Sequence, residues 1–537
     1  MRSFAALYAE LDGTGSTNLK VDAMARYFAT APPEEAAWAL FLLSGERMKR
    51  LVGPRKLATW AQEAAGLPEW LMSECYAAVG DLAELVSLLV DQEAESDDVP
   101  LPEWVARLRS LRKRSEDEQR DQILTWWRAS PRDERFLMSK LLTGSLRVGV
   151  SRTLAVRALA QATGLDKDLL QHRLSGTWKP SANAWNQLVD PEADPGASAA
   201  RPYPFYLASP LEQPLAELGE PGEWLVEWKW DGIRAQLVRR AGETHLWSRG
   251  EELITERFPE VAEASAALPE GTVLDGELLA WDAEAARPMP FAQLQKRIGR
   301  KKLGPKILRE APAHFMAYDL LEAEGEDLRE VPQGERRARL ESLIAALGSE
   351  RFGLSPLVDA DTWEDLGVLH GESRSRGVEG FMLKRRAGPY RTGRRKGDWW
   401  KHKVEPFTLD CVLVYAQAGS GKRAGLFTDY TFGLWEGARG EGELVPIAKA
   451  YSGLDDAEIR ELDGWIRRHT VERFGPVRSL VAEHVFEIAF EDIRESKRHK
   501  AGLAVRFPRI LRWRRDKVPA EADSLASARE LLATKSD

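Results

Sequence analysis

Residues 223–234 read EWLVEWKWDGIR, and the alternation in this stretch decides the fold. Trp224, Val226, Trp228 and Trp230 fall on one register, and Glu223, Leu225, Glu227 and Lys229 on the other. Residues two apart on a strand point to the same face. The stretch Glu223–Asp231 is therefore predicted to be a strand with an aromatic back, from whose front Glu227 and Lys229 project together. Asp231-Gly232 is a turn signal, after which Ile233–Val238 forms a second strand carrying Arg234.

The same two-residue spacing recurs twice further along the chain. Asp275 and Glu277 (LDGELL) form one further pair, Lys401 and Lys403 (WWKHKVE) another. One pocket could collect lysines, an arginine and several carboxylates. A lysine beside other cations loses its proton more readily and becomes a nucleophile. Arg and Lys around it neutralise phosphate, and carboxylates hold Mg²⁺, a cation that prefers oxygen ligands. Together these groups suit attack by a lysine on a phosphoryl centre. Any one such pair is ordinarily a strand with a polar outer face; three in order within one region are harder to explain that way.

Outward from this module the pattern changes. Residues 1 to about 190 read as helical, with Phe4, Leu7, Tyr8 and Leu11 on one face and an apolar stretch from Leu82 to Val90. Asp91–Asp98 reads as an acidic surface loop. Beyond it basic residues accumulate, among them Lys140, Arg147, Arg152 and Arg157. The stretch Pro191–Pro204 (PEADPGASAARPYP) reads as a linker. After Glu405 come short strands, including Cys411–Tyr415, Tyr430–Trp435 and Val485–Ala489. Gly-rich turns at 418–421 and 437–442 separate some of them, which suggests a small barrel. Residues 521–537 read as a short helix or a frayed tail.

Composition bounds the class. The 537 residues are 43% hydrophobic and 30% charged, a globular mixture with room for several cores. Two cysteines, Cys75 and Cys411, exclude a disulfide framework and a four-cysteine zinc site, and make a reducing cytoplasm the expected compartment. Neither a signal peptide nor a bilayer-length apolar run is present, so no membrane is expected. The net charge of −8 alone favours a metabolic enzyme over a DNA binder, but a total hides local fields.

Lys229-Trp230-Asp231-Gly232 resembles the K-x-D-G motif of the covalent nucleotidyltransferases: DNA ligases, RNA ligases and mRNA capping enzymes. Further family motifs follow in order. Ser248-Arg249-Gly250 resembles the second and Leu274–Glu277 the third, with FMAYDLL at 315–321 next. Then come EGFMLK at 379–384, WKHK at 400–403 and RFPRILRWRRDK at 506–517. Among these families the long helical region before K-x-D-G, with GSLRVGVS at 144–151, is similar to the DNA-binding domain of replicative-type ATP-dependent DNA ligases.

The resemblance implies a multidomain α and α+β protein. Its parts would be an all-helical DNA-binding domain (1–190), a linker (191–204), an α+β adenylation domain with antiparallel sheets (205–404) and a C-terminal OB-fold β-barrel (405–537). It implies a ligase that seals 5′-phosphate/3′-hydroxyl nicks in duplex DNA with ATP and Mg²⁺ as a monomer. Lys229 would form a lysyl-AMP, Glu227 would seat the adenine and Phe315 would stack on it. Arg234, Arg249 and Arg395 would hold phosphates and ribose, and Lys401 and Lys403 the α-phosphate. Glu277 would contact the ribose and, with Glu379, the metal. Arg506, Arg509, Arg512, Arg514, Asp516 and Lys517 would orient the pyrophosphate, with a hinge at 403–407. Lys140, Arg147 and Ser151 are the DNA-contact candidates. Trp126-Trp127 is a weaker one, Cys75 reads as core and His402 as packed rather than catalytic.

An RNA or RNA–DNA ligase, or a capping-type nucleotidyltransferase, is the alternative within this class. A nick-binding protein without turnover is disfavoured because every motif lysine and carboxylate is present. A metabolic adenylyltransferase leaves the helical region and the Arg-rich C-terminal motif without a role.

Overall fold

The computed structural model describes residues 1–45, 48, 50–91, 98–174, 178–192, 200–300, 303–419 and 425–533. Most of the acidic loop (92–97), most of the linker (193–199), Ser420-Gly421 of one turn and the last four residues lie outside these. Contacts divide the chain into two compact units. One comprises Met1–Ala31, Trp38–Arg152 and Glu405–Asp537, the other Pro32–Ala37 and Thr153–Val404. Among the described residues no helix is long and apolar enough to cross a membrane.

The described elements of the N-terminal region are all helices, for local reasons that the sequence carries. Helix Arg2–Gly13 buries Phe4, Leu7, Tyr8 and Leu11, the face expected from their spacing. Helix Leu82–Leu89 is capped by Asp81, whose carboxylate accepts from the Ala83 and Glu84 amides. Helix Glu116–Ala129 opens with a Ser115/Glu118 capping box.

The second unit carries the candidate site on two sheets. In the larger, the main strand order is Phe352–Leu354, Ala313–Ala323, Thr272–Asp282, Ile233–Arg240, Glu243–Ser248. Its pairs are antiparallel except for the first, which is parallel. The smaller sheet runs Ser209–Pro210, Trp399–Lys403, Val378–Arg385, Trp224–Trp230. The chain leaves the small sheet at Trp230 and enters the large one at Ile233, so Asp231-Gly232 joins the two. A Cβ on Gly232 would lie 2.4 Å from the Leu278 carbonyl oxygen and 2.8 Å from Glu277 Cγ. Only glycine lets this connection pass so close to the strand bearing Glu277.

Trp224, Val226 and Trp228 do form the buried back of their strand, packed with Phe381, Leu383 and Trp400. The expected strand Ile233–Val238 runs on to Arg240.

The C-terminal region is sheet-rich. Its long strand Phe407–Ala418 pairs with Phe427–Glu436 along one edge, and with Val485–Phe490 and then Val477–Leu480 along the other. Leu409, Cys411 and Leu413 point into one core with Phe432, Phe486, Trp465 and Trp513. The last described element is helix Leu525–Ala533.

Candidate active site

Lys229 lies on the front of the small sheet, as its register predicts, and its Nζ is 2.5 Å from Glu379 Oε2. A bulge brings that carboxylate there. Pairing passes from Val378↔Trp230 to Phe381↔Trp228, so two residues, Glu379 and Gly380, oppose the single Lys229. Regular alternation from Met382, which faces Glu227, would put Gly380 and not Glu379 on this front. Gly380 has φ +121, and a Cβ there would lie 2.1 Å from the His402 carbonyl oxygen. The glycine of the E-G pair is thus what permits the bulge.

On the neighbouring strand Lys401 pairs with Met382 and Lys403 with Gly380, which brings both lysines to the same front. Lys403 Nζ is 3.4 Å from Glu379 Oε2, so one carboxylate sits between two ammonium groups. Burial works to raise the Glu379 pKa, but Lys229 and then Lys403 override it and hold the carboxyl below its usual range. At Lys401 burial, with Arg394, Lys229, Lys403 and Arg249 nearby, lowers the ammonium pKa. His402 points away and meets His370 edge-on at 4.1 Å, so it packs as expected.

The large sheet contributes Arg234, Asp275 and Glu277. Arg234 grips Asp275 through two bonds of 3.1 and 2.6 Å, and donates to the Tyr206 carbonyl at 2.6 Å. The Tyr390 hydroxyl donates to the same Asp275 at 2.7 Å. Asp275 is fully buried, so this fork fixes the guanidinium. Arg249 is exposed, and its amide donates to the Arg234 carbonyl at 3.1 Å. Arg395 is exposed too, and its carbonyl accepts from the Tyr206 hydroxyl at 3.3 Å.

Glu277 is an electrostatic outlier of the site. Burial pushes its carboxyl pKa to about 8, against Lys229 and Arg234, with Glu379 and Asp275 adding to the rise. A carboxyl so desolvated is poised to take a cation. Among the described residues no group of three His, Cys, Asp or Glu could hold a metal by itself. The Glu277/Glu379 pair nevertheless fits Mg²⁺, which is commonly bound by one or two carboxylates together with substrate phosphates.

Three expectations are corrected here. Phe315 is fully buried in the core on the other side of the large sheet, with Phe352 at 5.6 Å. A Cβ on Gly276 would lie 2.5 Å from its ring. It has no face for a base. Tyr318, three residues on, is an aromatic beside the site, 4.3 Å from Lys384 Nζ and 5.9 Å from the Arg234 guanidinium carbon. Odd spacing along the strand could have signalled this exchange of faces. Lys140 is 8% exposed and ion-paired with Asp81, so its charge is satisfied inside the helical region. Arg147 and Ser151 are exposed. Of the weaker candidates, Trp127 is fully buried, Trp126 packs edge-on against Trp104, and Cys75 is half-buried rather than core.

The C-terminal motif, in which the sequence shows one acid, meets several more. Arg514 binds Asp516 at 2.7 Å and Asp410 at 2.9 Å, and Lys517 reaches Asp410 at 2.6 Å. The bond from Arg514 holds the Asp516 carboxyl down at about 2. Arg512 pairs with Glu487 and Arg509 with Glu491. The Arg506 guanidinium carbon lies 5.2 Å from the exposed Phe507 ring.

A lysine paired with a carboxylate that a second lysine shares, with fixed cations beside it, is a layout for phosphoryl-group chemistry. Comparison with known proteins gives the family. Residues 206–403 match the family model described as "ATP dependent DNA ligase domain". Residues 1–169 match "DNA ligase N terminus", and residues 423–517 match "ATP dependent DNA ligase C terminal region". A "Probable DNA ligase" of Koribacter versatilis is 32% identical over 569 residues, covering 100% of this chain and 97% of that protein. One of Opitutus terrae is 37% identical over 468 residues, 75% of this chain, but the match spans only 45% of that relative. The structure solved as "Pmar-Lig_PreS3" superposes with a TM-score of 0.62 at 17% identity, covering 95% of this chain and 99% of that one, a likeness of fold. The chain belongs to the ATP-dependent DNA ligase family, enzymes that use ATP and bind DNA.

Proposed function

We propose that this ligase seals nicks in duplex DNA through a covalent lysyl-AMP on Lys229. The observation that carries the reading is the Lys229–Glu379 pair at 2.5 Å, with Lys403 on the same carboxylate. Glu379 can accept the ammonium proton, after which Nζ attacks the α-phosphorus of ATP and the bond to the β-phosphate oxygen breaks, releasing pyrophosphate. Lys401 and Lys403 neutralise the α-phosphate. Arg234, fixed by Asp275, and exposed Arg249 and Arg395 serve ribose and phosphates. Glu227 meets the adenine edge, and Tyr318 in place of Phe315 offers the ring. Mg²⁺ would be held by Glu277 and Glu379 together with substrate oxygens, supplying charge neutralisation.

AMP then passes to the 5′-phosphate of the nick, and the adjacent 3′-hydroxyl displaces it to close the strand. The Arg- and Lys-rich C-terminal motif, within a domain we read as an OB-fold barrel, is assigned to the leaving pyrophosphate, with the hinge at 403–407. Arg147 and Ser151 are assigned to DNA phosphates. We take the enzyme to act as a monomer. Both cysteines are free thiols, which fits the reducing cytoplasm.

The test is a nicked duplex with a labelled 5′-phosphate, incubated with enzyme, Mg²⁺ and ATP, GTP or NAD in parallel. ATP-dependent conversion to the joined strand is expected. Joining with NAD, or a stable adduct with GTP alone, would contradict the reading.

A further inference from the structure

Behind the nucleophile, Glu227 sits in a buried charge cluster whose cations the chemistry above does not use. Glu227 is 1% exposed, two residues before Lys229 on the same face of the strand. Lys384, from the adjacent strand and equally buried, donates to Glu227 Oε1 at 3.0 Å and to the Tyr318 carbonyl at 3.1 Å. Its Nζ also sits 4.3 Å from the Tyr318 ring centre and 4.8 Å from that of Trp399. From helix Gln333–Leu347, Arg337 reaches the same Oε1 at 3.5 Å. Arg337 is itself anchored, to the Ser355 carbonyl at 2.8 Å and to Glu341 at 2.7 Å.

A carboxylate this deep needs cationic partners. Here the partners come from two separate elements and converge on a single oxygen, which pins the group's orientation as well as its charge. Oε2 carries neither described contact. A carboxylate fixed this way is a hydrogen-bond acceptor with no freedom to turn aside. It matches the 6-amino donor of one purine and opposes the 6-oxo acceptor of the other. A site built to bind a donor discriminates strongly against a ligand lacking it, because its own polar group is left unpaired.

We propose that Lys384 and Arg337 are positioning residues for nucleobase choice. By pinning Oε1 of Glu227 between them, they present the carboxylate as a fixed acceptor, so that the site takes a 6-aminopurine nucleotide and refuses a 6-oxopurine one. This rests on the reading that Glu227 meets the base.

The test compares ATP with ITP, which replaces the 6-amino group by an oxo group, as donors for the covalent nucleotidyl-enzyme. Rates are normalised to active sites counted by burst amplitude, so misfolded protein drops out. Wild type is expected to favour ATP strongly in kcat/KM. Lys384→Met and Arg337→Gln should each cut the ATP/ITP ratio at least tenfold, mainly through KM for ATP, and Lys384→Arg should restore part of it. Should Lys384→Met fail to fold, Arg337→Gln carries the same measurement. If neither variant moves the ratio while Glu227→Gln does, the positioning inference is overturned and the assignment of Glu227 to the base stands. If Glu227→Gln also leaves the ratio unchanged, that assignment fails and takes the inference with it.

Discussion

Lys229 and Glu379 are 150 positions apart in sequence and 2.5 Å apart in space, joined because a one-residue bulge at Glu379-Gly380 turns the carboxylate to the front of the sheet. The pair links the nucleophile to a group able to take its proton. Glu379 also shares its charge with Lys403, so it ties together the strands that bear both lysines.

Replacing Glu379 with Gln keeps the shape and removes the charge. The rate of lysyl-AMP formation is expected to fall by about 100-fold or more, the scale for losing one preorganised electrostatic group. Single-turnover adenylation with labelled ATP measures it. A rate within threefold of wild type would remove Glu379 from the proton path.

Asp275 is fully buried and takes bonds from Arg234 and Tyr390. Asp275→Ala leaves a guanidinium without its counter-charge inside the protein. A loss of ~3–5 kcal/mol of stability is expected, as for breaking a buried ion pair from one side. Urea unfolding checks it, and an unchanged midpoint would mean that the fork is dispensable.

The strands that carry the site residues were legible because period-two alternation is strong in EWLVEWKWD and LDGELL and because the paired residues recur at fixed spacing, whereas their division between two sheets was not. The bulge was not legible. Regular alternation describes a strand only until an extra residue is inserted, and the one local hint was a glycine inside the EGFMLK strand. Phe315 failed for a related reason: both sides of FMAYDLL are buried, so hydrophobicity gave no sign of which ring faced the site. Lys140 and the C-terminal arginines show the other limit. Their acids, Asp81, Asp410, Glu487 and Glu491, come from distant segments, and a count of local charge cannot find them.

Acid stability should be set by buried histidines of the second unit. His314 stacks on Trp281 at 4.8 Å, its Nε2 has no partner among the described residues, and burial lowers its pKa to about 4. Burial lowers His172, stacked on Tyr203, and half-buried His402 to about 4 as well. In the unfolded chain each titrates near 6.5, so between pH 6.5 and 4 the unfolded state binds more protons. Stability is therefore full above pH 6.5 and falls as pH drops toward 4. His314 alone should contribute a loss of about 2 kcal/mol between pH 7.5 and 5. His314→Phe keeps a ring on Trp281 but cannot charge, and should flatten the profile measured by urea unfolding; an equally steep profile would contradict this.

Arg147 is exposed and Lys140 is paired with Asp81, so the two cations should behave differently. Arg147→Ala is expected to weaken binding to nicked DNA uniformly across sequences and to reduce the slope of log K against log salt by about 1, leaving self-adenylation unchanged. Lys140→Met is expected to lower thermal stability and leave that slope alone. The reverse pattern would relocate the DNA contact to Lys140.

The most direct measurement of the central claim is the intact mass of wild-type protein and of Lys229→Ala after incubation with ATP and Mg²⁺, followed by peptide mapping. Wild type should gain one AMP, located on Lys229, while the variant keeps its circular dichroism and gains nothing. An AMP adduct of normal yield on the variant, or one mapped to another residue of the wild type, would contradict the account.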